Sequence, residues 1–296
     1  MGRVAQAKLL SIDDQNCFMG EEDGSPLSHL VRNRRMGDVI GRYEASLPVA
    51  GSVQNARRLA GMVDRLGTRL VSIHATLDTH QVIHVAHPAM WSDRAGKEPG
   101  PFTVISVSDI ERRLWFPRNP TYEVRLLSYV RELERKGNYP LMIWPEHGIL
   151  GTWGHTLYHE LSNAFGRWQV KTQEMMGFTL KGMDPFSEMY SALEAEVPNE
   201  NPATQLNRPF IEMLECGDEP WAIGGEALSH CVRATVRDIA KHVGKRHLSK
   251  FHLLTDCMSP VRQVGDGPDF PKIGRDFLLE MQSLGMTLTT SQAFFA

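Results

Sequence analysis

A chain of 296 residues can bury a full hydrophobic core, as one large α/β domain or two smaller ones. With 42% hydrophobic and 23% charged residues it has the composition of a soluble globular protein. Its formal charge of −3 gives no electrostatic reason to expect nucleic acid or an anionic membrane as partner. No apolar run approaches the roughly 20 residues that span a bilayer, no leader-like apolar segment opens the chain, and none of the four cysteines forms a Cys-x-x-Cys pair. The expected setting is a reducing cytoplasm.

Ala7 to Ile12 reads as a buried first strand that runs into Asp13 and Asp14. Acids at a strand's C-terminal end stand where open α/β sheets place their sites, although Asp and Asn also favour plain turns. Val53 to Leu66 has helical spacing, and Thr68 to Thr76 is β-branched and strand-like. That second strand leads into Asp78-Thr79-His80, with His84 and His87 close behind. Asp78 and His80 point to the same side of an extended segment, so both can reach one divalent metal. Solvated loop histidines are the competing explanation.

Residues 91 to 120, rich in Pro, Gly, Arg and Trp, read as a long surface excursion. Tyr122 to Arg135 is predicted to be an amphipathic helix with Val124, Leu127, Val130 and Leu133 inward, stopped by Gly137 and Asn138. Tyr139 to Trp144 is predicted as the next strand. His147 follows it and can complete a three-ligand site with Asp78 and His80, leaving coordination positions open. His155 to Phe165 is predicted helical, and Val170 to Gln173 and Gly177 to Leu180 strand-like. Lys181 closes an apolar run before a glycine, so it can point into a site or out to solvent.

Gln205 to Cys216 reads as a helix and Trp221 to Gly225 as a buried strand. A turn and a helical pattern beginning at Ser229 follow. Cys231 then falls in the first turn of a helix, where free N–H groups and the helix dipole favour a thiolate and can hold an oxyanion. A small buried apolar residue is the alternative. Lys250 to Leu254, Phe277 to Leu284 and Met286 to Thr289 read as strand, helix and strand. Strands alternating with helices predict a three-layer α/β/α fold with a mainly parallel central sheet. Residues 1–296 are expected to form a single domain with insertions near 91–140 and 194–219. In a doubly wound sheet the strand ends carrying Asp13, Asp78, Lys181 and Cys231 share one edge.

Five segments in this order resemble the nicotinamidases of the isochorismatase-like cysteine hydrolases. They are Ile12-Asp13-Asp14-Gln15-Asn16-Cys17-Phe18, Asp78-Thr79-His80 with His84, Trp144-Pro145-Glu146-His147 through Gly151-Thr152, Lys181-Gly182 with Tyr190-Ser191, and Ala227-Leu228-Ser229-His230-Cys231-Val232. The resemblance spans residues 12 to 235. Cys17 stands where an acid is frequent in the family, and Gly148 where many members have cysteine.

The resemblance implies an isochorismatase-like hydrolase fold and an amidohydrolase that converts nicotinamide to nicotinate and ammonia in NAD salvage. It implies a triad of Cys231 as nucleophile, Asp13 as base and Lys181 as electrostatic partner, with a thioester intermediate. The N–H groups of Ala227 and Cys231 would form the oxyanion hole, after a cis Glu226–Ala227 peptide. Phe18, Trp144 and Tyr190 would contact the substrate ring. A divalent metal, zinc, would sit on Asp78, His80 and His147, with His84 as an auxiliary ligand, and bind the pyridine nitrogen. A homo-oligomer is also implied. A related cysteine amidase acting on another small carboxamide is the alternative.

Overall fold

The computed structural model describes residues 5–32, 39–137, 139–263, 265 and 267–296; Asn138, one of the two predicted helix stops, lies outside them. Among the described residues six strands form the central sheet: β1 (Ala7–Ile12), β2 (Leu70–Asp78), β3 (Gly177–Lys181), β4 (Trp221–Gly225), β5 (Phe251–Leu254) and β6 (Thr287–Thr289). Their order is β6-β5-β4-β1-β2-β3, and every neighbouring pair is parallel. The chain runs outward in one direction through β2 and β3, then returns beside β1 to run the other way. The switch point of this doubly wound sheet therefore lies between β1 and β4.

Among the described residues seven α-helices accompany the strands: α1 (Ser52–Leu66), α2 (Val107–Glu111), α3 (Glu123–Lys136), α4 (His159–Thr172), α5 (Arg208–Glu215), α6 (Arg233–His242) and α7 (Phe270–Ser283). Their ends carry local signals. Asn207 and Asp269 cap α5 and α7 by accepting the N–H groups of Phe210 and Lys272, and Ser106 and Asp109 form a reciprocal capping box on α2. Strand side chains alternate between two cores. Ala7, Leu9, Ala222 and Leu254 pack with α1 and α4 on one face; Leu10, Ile12, Ile223 and Leu253 pack with α3, α5, α6 and α7 on the other. The three predicted layers are present.

Three segments differ from their predicted form. In Tyr139–Trp144 only Leu141–Met142 is extended, and it pairs antiparallel with Val104–Ile105 outside the central sheet. Pro140 contributes no N–H to a ladder, which disfavours a central strand. Val170–Gln173 is not a strand but the end of α4, whose face of Leu161, Ala164, Phe165 and Trp168 continues the helical period through it. In α3 the buried residues are Leu126, Tyr129, Val130 and Leu133, while Val124 is 83% exposed. The excursion after residue 90 is anchored rather than loose: Trp91 is fully buried and its indole N–H donates to the Val85 carbonyl at 2.7 Å.

Candidate active site

Strand register assembles the site. Asp78 lies opposite Lys181, Ile12 opposite Thr76 on one side and Gly225 on the other. Asp13, Asp78, Lys181 and the turn after Gly225 therefore meet at the C-terminal edge, across the switch point. Gly225 has φ +129°, and a Cβ there would stand 2.0 Å from the Ile12 carbonyl oxygen, so only glycine lets β4 close on β1 here. Asp13 itself takes φ +51°, a left-handed conformation that turns the chain sharply out of β1.

Lys181 is 1% exposed. Its Nζ lies 2.9 Å from Asp13 Oδ2, 3.1 Å from Asp78 Oδ1 and 3.4 Å from Cys231 Sγ, and donates to the Met189 carbonyl at 3.0 Å. An unpaired buried ammonium would be costly. Here burial works against the charge, but the two carboxylates hold Lys181 well above the usual lysine range. Burial raises Asp13 and Lys181 opposes the rise; the Thr76 hydroxyl donates to its Oδ1. Ligand atoms of Asp13, Asp78 and Cys231 all lie within 4.8 Å of one another.

Cys231 is buried in a π-turn, Leu228–Val232, ahead of α6. The Ala227 carbonyl accepts N–H groups from both His230 (2.9 Å) and Val232 (3.2 Å). Burial pushes the Cys231 thiol well above its ordinary value, with Lys181 pulling the other way. Burial and the neighbouring Asp13 and Asp78 carboxylates thus work against the thiolate expected from the helix position, which gives a base beside the thiol a task. The predicted cis peptide between Glu226 and Ala227 is present.

The metal candidates also converge. His80 Nε2 lies 3.0 Å from Asp78 Oδ1, and His147 Nε2 lies 3.2 Å from Asp78 Oδ2. Although His147 does not follow a strand of the central sheet, its loop is tied to His80: the His80 N–H donates to Gly148 O at 2.9 Å and Leu150 N–H to His80 O at 3.0 Å. Gly148 has φ +58°, and a Cβ would meet the Asp78 carbonyl at 2.6 Å, which accounts for glycine at this position. His87, outside the ligand set expected from the sequence, joins the group. Ring nitrogens of His80, His87 and His147 lie within 4.8 Å of one another, and His84 packs on His80 with centroids 4.2 Å apart.

Burial holds His84 well below the usual histidine value and His87 down to about 3, so both are neutral, as ligation requires. Their buried Nε2 atoms have no hydrogen-bond partner among the described residues. Nitrogen donors without partners beside a carboxylate fit a divalent transition metal.

Phe18, Trp144 and Tyr190 share a buried apolar cluster with Cys231. The Trp144 indole donates to the Tyr190 hydroxyl at 3.1 Å, and Phe18 lies 5.5 Å from the His147 ring. His230 is surrounded by Tyr139, Trp144, Tyr190 and Phe270, with ring centroids 4.7–5.3 Å away. Among the described residues no helix is long and apolar enough to cross a membrane.

Solved structures share this architecture. A nicotinamidase/pyrazinamidase from Acinetobacter baumanii superposes with a TM-score of 0.58 at 18% identity, covering 98% of this chain and 99% of that one. The yeast nicotinamidase bound to the inhibitor nicotinaldehyde gives 0.57 at 18% identity, covering 96% and 100%. A pyrazinamidase of Pyrococcus horikoshii in complex with zinc gives 0.50 at 17%, covering 96% and 99%. No protein-family model and no curated protein matches the chain. At these identities the likeness shows the fold alone: the chain shares the three-layer α/β architecture of these structures.

Proposed function

We propose that the protein is a cysteine amidohydrolase that converts nicotinamide, or a closely similar planar carboxamide, to the carboxylic acid and ammonia. One observation carries this: Lys181 Nζ lies within 3.4 Å of both the Asp13 carboxylate and the Cys231 sulfur, all three buried at the switch-point edge. Those are the parts of an activated nucleophile: a thiol, a base and a charge that favours the ionised form of the base against its burial.

In this mechanism Asp13 takes the thiol proton as Cys231 sulfur adds to the amide carbon. The N–H groups of Ala227 and Cys231 hold the resulting oxyanion. The C–N bond then breaks, the proton on Asp13 passes to the departing nitrogen, and ammonia leaves a thioester. Asp13 next deprotonates a water that adds to the thioester, and the C–S bond breaks. The acid is released and the proton returns to sulfur. Phe18, Trp144 and Tyr190 flank the ring. A divalent metal, with zinc the favoured ion, would be held by Asp78, His80, His147 and His87, with His84 auxiliary, and would supply an open position for the ring nitrogen. The P. horikoshii zinc complex supports that choice. The proposed setting is cytoplasmic NAD salvage.

The test is ammonia release by reduced, metal-loaded protein from nicotinamide, benzamide and acetamide. Benzamide lacks the ring nitrogen and should turn over at least about 100-fold more slowly, the cost of leaving a buried ligand position unpaired. Equal rates would move the substrate to another small carboxamide. No release from any amide would overturn the proposal.

A further inference from the structure

Glu226 is fully buried beside the nucleophile turn, and the chemistry above does not use it. Its Oε1 accepts from Asn55 Nδ2 at 2.7 Å and its Oε2 from the Ser259 N–H at 3.1 Å. Asn55, on α1, also donates to Ser259 Oγ at 2.7 Å and accepts from Arg58, whose guanidinium in turn donates to the Asp256 carbonyl. The Glu226 N–H donates to the Ile12 carbonyl at 2.8 Å, so both its backbone and its side chain are held.

These bonds bracket Ala227. On one flank Ser259 N–H binds Glu226; on the other, the Leu228 N–H donates to the Ser259 carbonyl at 2.8 Å. The same loop holds the next residue, through the Val261 N–H on Ser229 Oγ at 3.1 Å. A hydrocarbon side chain would fill the volume at position 226 without the desolvation cost of an acid. What it would lose is the tie between α1, the loop after β5 and the turn.

We propose that Glu226 is a positioning residue, which with Asn55 and Ser259 fixes the Ala227 backbone where its N–H meets the developing oxyanion. This rests on the amidase function proposed above, and acts through Ala227 rather than on the substrate. Misplacing an oxyanion donor lowers the chemical step and leaves ground-state binding largely unchanged.

The experiment compares Glu226→Ala, Asn55→Ala and the double variant with the unaltered protein. In Glu226→Ala, kcat per titrated thiol should fall about 10- to 100-fold with KM within about 3-fold. The double variant should be no worse than about 3-fold beyond the single, because the pair acts as a unit. Glu226→Gln, which keeps the length and one acceptor, should recover part of the loss. Cys231 alkylation by iodoacetamide should stay within about 3-fold, since that reaction needs no oxyanion hole. Amide hydrogen exchange in the peptide covering residues 226–231 should accelerate at least about 10-fold.

An unchanged kcat, or a rise in KM alone, would overturn the inference. If the unaltered protein hydrolyses no amide, the amidase proposal fails by itself, and unchanged exchange in that peptide still overturns the positioning role. Should Glu226→Ala fail to fold, Asn55→Ala decides by the same readouts.

Discussion

Asp14 stands next to the proposed base in a different environment. Burial lifts its carboxyl to about 7, against the opposing pull of the Ser11 hydroxyl, which donates to Oδ2 at 2.6 Å; buried Oδ1 has no partner among the described residues. The folded state keeps this proton where the unfolded chain, near 3.8, has lost it. Asp14 therefore contributes most below the unfolded value, and stability falls as pH rises toward 7. Three units correspond to at most about 4 kcal/mol. Asp14→Asn, which keeps an acceptor for Ser11, should flatten the urea midpoint between pH 5 and pH 8; an unchanged slope would mean another group titrates there. Lys181→Met would leave Asp13 and Asp78 facing each other in the core, and should cost about 3–5 kcal/mol in urea unfolding. Lys181 was legible in sequence because it ends an apolar strand before a glycine. His87 was not: the loop folds it back by placing its Nδ1 near the carbonyls of Gln81 and Val82, a conformation that spacing does not encode.

At the scale of elements, periodicity located most segments and misjudged how some of them pack. In α3, Val124 with Leu127 and Leu126 with Tyr129 both satisfy helical spacing, and only the surrounding core selects the second face. Leu126→Ala should cost about 2–5 kcal/mol, whereas Val124→Ser should stay within about 0.5 kcal/mol by chemical denaturation. The opposite ranking would restore the face predicted from sequence. Val170–Gln173 misled because a short β-branched run looks the same at a helix end as in a strand. Tyr139–Trp144 misled through its apolar composition; its pairing partner, Val104–Ile105, comes from the excursion that lacked periodicity.

Across the whole molecule, the alternation of strands and helices was enough to predict a parallel sheet, and four of the five motifs fall at strand ends on its edge, while the His147 motif follows a strand outside it. Which strands are neighbours was not legible, because it depends on the crossovers returning to the far side of β1. The Asp78–Lys181 pairing follows from that order, and so does the meeting of Ile12 with Gly225. The histidine group links distant parts of the chain, so zinc should stabilise the fold as any ligand of the native state does. A zinc-dependent rise in Tm should shrink in His87→Ala; an identical rise would remove His87 from the donor set.

Whether Cys231 carries the acyl group is decided by intact-mass spectrometry of protein quenched in acid during turnover of nicotinamide. The mechanism predicts one nicotinoyl adduct on the peptide bearing Cys231, and neither adduct nor ammonia from a folded Cys231→Ala variant. Ammonia released by that variant at an undiminished rate, with no acyl group on Cys231 in the unaltered protein, would contradict it.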